Sequence, residues 1–210
     1  DANAHLKQLD TAKSEFLSIA SHQLRTPISA LKGYLSMLLE GDFGIIPDKQ
    51  RQVIADLFES AARLARLINI FLNVSRIESG RFKLDRTMVD VNDLVTGVIK
   101  ELQGQVKSKG LSLAFTPTKT LPKIYVDSDK TREVILNLID NAIKYTPEGS
   151  IVVETFNDRG AFHFTCKDTG VGIRPDDAKA LFRKFVRGTG IAQVNTQGSG
   201  LGLYIAQRVV

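Results

Sequence analysis

The chain has 210 residues, 43% of them hydrophobic, and carries 28 Lys and Arg against 23 Asp and Glu for a net charge of +5. That is enough for one large domain or two small ones with a buried core, and no apolar run is long enough to span a membrane. Basic and acidic residues are interspersed, which argues against a nucleic-acid partner, and the single cysteine, Cys166, excludes an internal disulfide framework and fits a reducing compartment. The start, running from Asp1 to Asp10, lacks both an initiator Met and the apolar core of a signal peptide, so the chain reads as a piece of something longer. Cys166 falls in an apolar, strand-like run, where packing is the expected role.

From Leu9 onward, apolar residues recur every three or four positions: Ala12, Phe16, Ala20, Leu24, Ile28, Leu31, Leu35 and Leu38. This predicts one long amphipathic helix. Gly41-Asp42-Phe43-Gly44 and Pro47 interrupt the pattern, and a second stripe follows at Val53, Leu57, Ala61, Leu64, Ile68, Phe71 and Val74. Two such helices joined by a short loop predict an antiparallel hairpin. A hairpin alone does not enclose its stripe, so pairing with a second copy into a dimeric four-helix bundle is expected.

After Ser79-Gly80 the texture changes. Strands are expected at 81–84, 111–115, 124–126, 151–156 and 162–167, and helices at 92–108, 130–145, 176–185 and 201–209. Without a strict alternation of strand and helix, this predicts an α+β sandwich, with helices on one face of a mixed sheet. The expected domains are therefore a helical hairpin at 1–80 and a second domain at 81–210.

Within the first stripe, His22 is offset by two residues from both Ala20 and Leu24, about 200° of helical rotation, so its ring is expected to face solvent. Thr26 shares that face one turn later. Pro27 removes a backbone donor and presses on the Gln23 carbonyl, which is expected to loosen or bend the helix there. Periodicity alone would leave His22 as a polar surface residue.

The surrounding residues add more. The run Phe16-Leu17-Ser18-Ile19-Ala20-Ser21-His22-Gln23-Leu24-Arg25-Thr26-Pro27 resembles the phospho-acceptor box of sensor histidine kinases. Four later segments, in the family's order, resemble its nucleotide boxes. They are Asn137-Leu138-Ile139-Asp140-Asn141-Ala142-Ile143-Lys144-Tyr145-Thr146, Asp168-Thr169-Gly170-Val171-Gly172-Ile173, Leu181-Phe182-Arg183-Lys184-Phe185-Val186-Arg187 and Gly198-Ser199-Gly200-Leu201-Gly202-Leu203. The resemblance covers nearly the whole chain. It implies a dimerisation and histidine phosphotransfer hairpin followed by an ATP-binding domain of the kind shared with gyrase, heat-shock chaperone and mismatch-repair ATPases.

The same resemblance assigns roles. His22 is the implied phospho-acceptor, because a neutral imidazole nitrogen is nucleophilic near pH 7. The spacing of Asn137, Asn141 and Lys144 puts two amides and an ammonium on one side of a helix, with Tyr145 adjacent. Amide oxygens are hard ligands suited to Mg²⁺, directly at Asn141 and through water at Asn137, and Lys144 would neutralise phosphate charge. Asp168 would accept from the adenine amino group, with Gly170 and Gly172 admitting the base. Arg187 would reach the γ-phosphate, and Gly198, Gly200, Leu201 and Gly202 would present helix N–H groups to phosphate. The segment between Arg174 and Gln197 would form a lid. The implied partners are a second copy and the receiver domain of a response regulator, with no nucleic acid and no membrane contact from this segment. The implied location is the cytoplasm, in a soluble or membrane-anchored sensor.

Three positions depart from the family pattern. Gln23 stands where an acidic residue usually follows the acceptor, and an amide does not accept a proton. Val186 replaces the common aromatic residue before the arginine. The chain also stops at Val210, just after the last helix, so the final strands of the sheet are expected to be missing. Gln23 keeps open a second reading, a phosphatase-biased dimeric module that binds ATP and transfers it poorly. A gyrase-like ATPase is disfavoured because Asn137 replaces the water-activating glutamate of those enzymes.

Overall fold

The structure, a computed structural model, describes residues 2–118, 121–186 and 200–210. It divides into two compact units, residues 1–82 and 83–210. The first is a helical hairpin of α1 (Ala2–Glu40) and α2 (Asp48–Glu78). α1 runs unbroken through Pro27, so the missing donor costs one intrahelical bond without ending the helix. Beyond the Ser79 C-cap of α2, Gly80 at a φ of 66° lets Arg81 N–H reach the Arg76 carbonyl at 2.9 Å.

The two stripes are only partly covered. Ile28 and Leu35 of α1 and Ala61, Leu72 and Val74 of α2 are buried, whereas Phe16, Leu24, Leu31, Val53, Leu57, Leu64 and Phe71 remain about half exposed or more. A single hairpin thus leaves a continuous apolar strip in water.

The second unit holds a small antiparallel sheet of β1 (Arg86–Val89) and β3 (Ile124–Asp127) and a larger one of β2 (Ser112–Pro117), β4 (Ser150–Asp158) and β5 (Ala161–Asp168). In the larger sheet β4 is central, parallel to β2 and antiparallel to β5, so the sheet is mixed as expected. Burial along β4 alternates: Ile151, Val153 and Thr155 point inward, while Glu154 and Phe156 face outward. The inner face packs against α3 (Val91–Ser108) and α4 (Ser128–Tyr145), whose Val95, Val98, Leu102, Ile135, Ile139 and Ile143 form the core. Two short helices complete the unit, α5 (Pro175–Ala178) and α6 (Gly202–Val209).

Two expected elements are corrected. The strand expected at 81–84 is not one: Phe82 and Leu84 do alternate in burial with Arg81 and Lys83, but the ladder begins only at Arg86, opposite Asp127. Alternation without a partner strand does not make a strand. The helix expected at 176–185 stops at Ala178, and three-residue turns follow, with Ala180 N–H on the Asp177 carbonyl and Arg183 N–H on the Ala180 carbonyl. Phe185, at a φ of 59°, closes off any continuation.

Asp127 joins the chain entering this unit to α4. Its carboxylate caps the helix by accepting from Lys130 N–H at 2.9 Å and also accepts from Asp85 N–H at 2.8 Å. Burial alone would raise its pKa, but these backbone donors and the Lys130 charge outweigh it and hold the carboxyl below its ordinary value. A depressed folded pKa contributes stability above the ordinary carboxylate range that is lost as pH falls through the folded pKa. Asp127→Ala is therefore expected to lower stability by about 1 kcal/mol at neutral pH, and by less at acid pH. Urea unfolding at two pH values checks this, and a pH-independent loss would leave only the packing of the side chain.

Candidate functional site

The second half of α4 carries Asn137, Asn141, Lys144 and Tyr145 on successive turns. Asn137 meets the start of α6 so closely that a Cβ on Gly202 would lie 2.2 Å from the Asn137 Oδ1. A side chain at position 202 would force the Asn137 amide to shift. Among the described residues, two buried side-chain polar atoms lack a hydrogen-bond partner, Asn137 Nδ2 and the Oγ1 of Thr146, which directly follows α4. Each such atom costs about 1–3 kcal/mol when left unsatisfied. Lys144 Nζ is paired with the Asp140 carboxylate one turn back.

The loop after β5 hangs on the end of the same helix. Val171 N–H donates to the Tyr145 carbonyl at 3.1 Å, and a Cβ on Gly170 would fall 2.3 Å from that oxygen. Asp168 Oδ1 accepts from Gly170 N–H at 2.9 Å, which orients the exposed carboxylate and presents Oδ2 to an incoming donor. Thr169 ties the loop to the start of β4: its N–H donates to the Ser150 carbonyl and its Oγ1 accepts from Ser150 N–H at 3.0 Å. Gly172 has a φ of 69° with open space around it. Cys166, two residues before Asp168, is pushed up to about 11, first by burial and then by the Asp168 charge, so it stays a thiol and packs.

At the third edge, Phe185 N–H donates to the Gly200 carbonyl at 3.1 Å. Lys184 Nζ sits 5.2 Å from the centre of the Tyr204 ring on α6, and the Arg208 guanidinium lies 5.6 Å from it. Leu201 is buried, and among the described residues no side chain caps the N-terminal N–H groups of α6. Arg187 and Gly198 lie outside the described residues, as does the expected lid from residue 187 onward.

In the helical unit the His22 side chain also lies outside the described residues, although its backbone belongs to α1. Gln23 and Thr26 are exposed, and Arg25 Nη2 donates to Asn69 Oδ1 of α2 at 3.1 Å. The second unit thus sets Asn137 against Gly202 and, two turns along α4, Tyr145 against Gly170 and the Asp168 loop, while the acceptor residues belong to the other unit. Sequence reasoning did not single out Asp140, Thr169 or Lys109. Only Asp140 carries a local signal, an acid four residues before a lysine on a helix.

The arrangement suits a nucleotide: among the described residues it holds buried polar atoms without partners, a helix start without a side-chain cap, and glycines where a Cβ would crowd a neighbour. Comparison with known proteins agrees. Residues 12–80 match the His Kinase A phospho-acceptor domain, and residues 126–210 match the histidine kinase-, DNA gyrase B- and HSP90-like ATPase. A sensor-like histidine kinase of Rhizobium meliloti is 32% identical over 97% of this chain and 39% of its own length. The virulence sensor protein BvgS of Bordetella pertussis is 34% identical over 100% of this chain and 17% of its own. Among solved structures, full-length ShkA in complex with AMPPNP superposes with a TM-score of 0.68 at 31% identity, covering 93% of this chain and 40% of that one. An ATPase domain behind a phospho-acceptor hairpin defines a class of signalling enzyme. The chain belongs to the sensor histidine kinases and comprises their catalytic core. It spans well under half the length of these curated relatives.

Proposed function

We propose that this chain binds ATP with Mg²⁺ in its second unit, transfers the γ-phosphoryl to His22, and passes it to an aspartate of a response-regulator receiver domain. The observation that carries the reading is the Asn137 amide pressed on Gly202 at the start of α6, with its buried Nδ2 donor unmet among the described residues. Asp168 selects adenine through Oδ2, and Tyr145 supports the base from the helix end. Lys144, released from Asp140, and Arg187 neutralise phosphate charge, while Gly198, Gly200, Leu201 and Gly202 offer backbone donors. The Asn141 oxygen, with Asn137 through water, holds Mg²⁺, which would supply charge neutralisation across the phosphates. The domains that act are 1–80 and 81–210.

A ring nitrogen of His22 attacks the γ-phosphorus as the bond to the β–γ bridging oxygen breaks and ADP leaves. The other ring nitrogen then carries an acidic proton. A carboxylate at position 23 would accept it, whereas Gln23 orients the ring and leaves the proton to water. Gln23→Glu is therefore expected to raise the autophosphorylation rate about tenfold, below the usual range for a general base because water reaches an exposed helix face. An unchanged single-turnover rate would remove proton acceptance from this account. Gln23 also favours the second reading, a phosphatase-biased module in which Thr26 positions water at the regulator's phospho-aspartate.

The chain acts as a homodimer. Covering the seven half-exposed apolar side chains of the hairpin is worth on the order of 5–10 kcal/mol, the driving force for a four-helix bundle. Among the described residues no helix is long and apolar enough to cross a membrane. The proposed reaction runs in the cytoplasm because its substrate ATP and its regulator partner are found there. The test is incubation with γ-labelled ATP followed by a purified receiver domain. Acid-labile, alkali-stable label that then moves to the receiver supports the kinase, whereas ADP release without protein label would support a plain ATPase.

A further inference from the structure

The last four carbonyls of α4 have no partners within the helix and must find them elsewhere. Ala142 accepts from Thr146 N–H at 3.1 Å, and Tyr145 accepts from Val171 N–H at 3.1 Å. The middle two go to one side chain: Lys109 Nζ donates to the Ile143 carbonyl at 2.8 Å and to the Lys144 carbonyl at 3.1 Å. Lys109 comes from another element, the C-cap of α3. Its backbone is held there, with Gly110 N–H on the Lys107 carbonyl, Leu111 N–H on the Val106 carbonyl, and Leu111 itself buried.

We propose that Lys109 is a positioning residue for nucleotide binding, clamping the final turn of α4 so that Lys144, Tyr145 and the Asp168 loop keep their places. The clamp is both geometric and electrostatic. The ammonium satisfies two carbonyls and opposes the negative end of the α4 dipole, on which the Asp168 loop hangs through Tyr145. Without it, those carbonyls turn to water and the last turn frays. The Tyr145 carbonyl then loses its fixed position, and Val171, Gly170 and Asp168 loosen with it. Both bonds of Lys109 Nζ go to carbonyls of α4, so its effect on the loop passes through that helix. The assignment rests on the kinase reading for its consequence, since it is ATP affinity that the clamp serves.

The test uses the 210-residue chain with Lys109→Met, Lys109→Gln and Lys109→Arg. Met and Gln are expected to weaken ATP binding about three- to tenfold, with little change in the transfer rate at saturating ATP, and Arg to recover most of the loss. In nucleotide-free protein the Val171 amide should exchange its hydrogen faster in the Met and Gln variants, while Val95 and Val98 of the α3 core keep their protection. Unchanged exchange at Val171, an Arg variant no better than Met, or a loss of protection spread equally through α3 would each overturn the assignment. A wild-type chain without ATP affinity would sink the kinase reading and this assignment together. Wild-type binding with unaltered affinity in the Met and Gln variants sinks Lys109 alone.

Discussion

Replacing His22 by alanine is expected to abolish acid-labile labelling from ATP, a fall on the order of 10³-fold or more to background, because it removes the nucleophile itself. Folding gives no competing explanation. Position 22 lies inside the 39-residue helix α1, and alanine is the best helix former, so the hairpin should be as stable as before. ATP affinity should also hold, because Asn137, Asp168 and Gly202 belong to the other unit. Of the remaining histidines, His163 is exposed on β5 with its ring stacked 4.9 Å from Phe156, and its neighbours lack the acceptor-box pattern. Label that survives in His22→Ala at the wild-type level would transfer the acceptor role to another residue.

The parts of this molecule that were legible in its sequence are those whose signal is local. Long stripes marked α1 and α2, because a helical period repeated over roughly six to eight turns is hard to imitate. The β4 and β5 runs were legible through their apolar content, and the Asp168 loop through its glycines. Where the outcome depended on a distant partner, the pattern misled or was silent. Residues 81–84 alternate like a strand, yet the strand opposite begins its pairing at Arg86. The 176–185 run is helical only to Ala178 and then passes into tight turns, and its last residue, a left-handed Phe185, bonds to Gly200, a contact no local window contains.

The candidate site divides in the same way. Asn137, Asn141, Asp168 and the glycines sit in short recognisable segments. Lys109 lies 34 residues from Ile143, whose carbonyl it holds, and Thr169 lies 19 residues from Ser150. Nothing in the spacing of either residue announces its partner, since the chain fold alone brings them together. The sequence also hid why two of the glycines matter. Gly172 is free of neighbours and adopts a positive φ, whereas Gly170 is required by space against the Tyr145 backbone carbonyl and Gly202 lies against the Asn137 amide, which a Cβ would push aside.

That distinction yields the second large effect. Gly170→Ala places a methyl group 2.3 Å from the Tyr145 carbonyl oxygen and 2.8 Å from both its carbon and the Asp168 Oδ1. Two of these three atoms are backbone at the end of a packed helix, so they do not swing aside as a flexible side chain would. The loop must move instead, and in moving it breaks the Val171 bond to Tyr145 and the Gly170 bond to Asp168. Overpacking of this kind, with loss of an oriented acceptor, is expected to cost ATP binding about 2–3 kcal/mol, or about 30- to 150-fold in Kd. The core of α3, α4 and β4 lies behind the loop, so the thermal midpoint should fall by only a few degrees. Gly172→Ala is the matched control: it meets no atom within 4 Å and carries only the strain of its φ of 69°. It should weaken ATP binding much less. Titration of both variants with a fluorescent ATP analogue, alongside thermal unfolding, separates the two costs. Equal affinities for the two variants would show that crowding against Tyr145 does not govern the nucleotide loop.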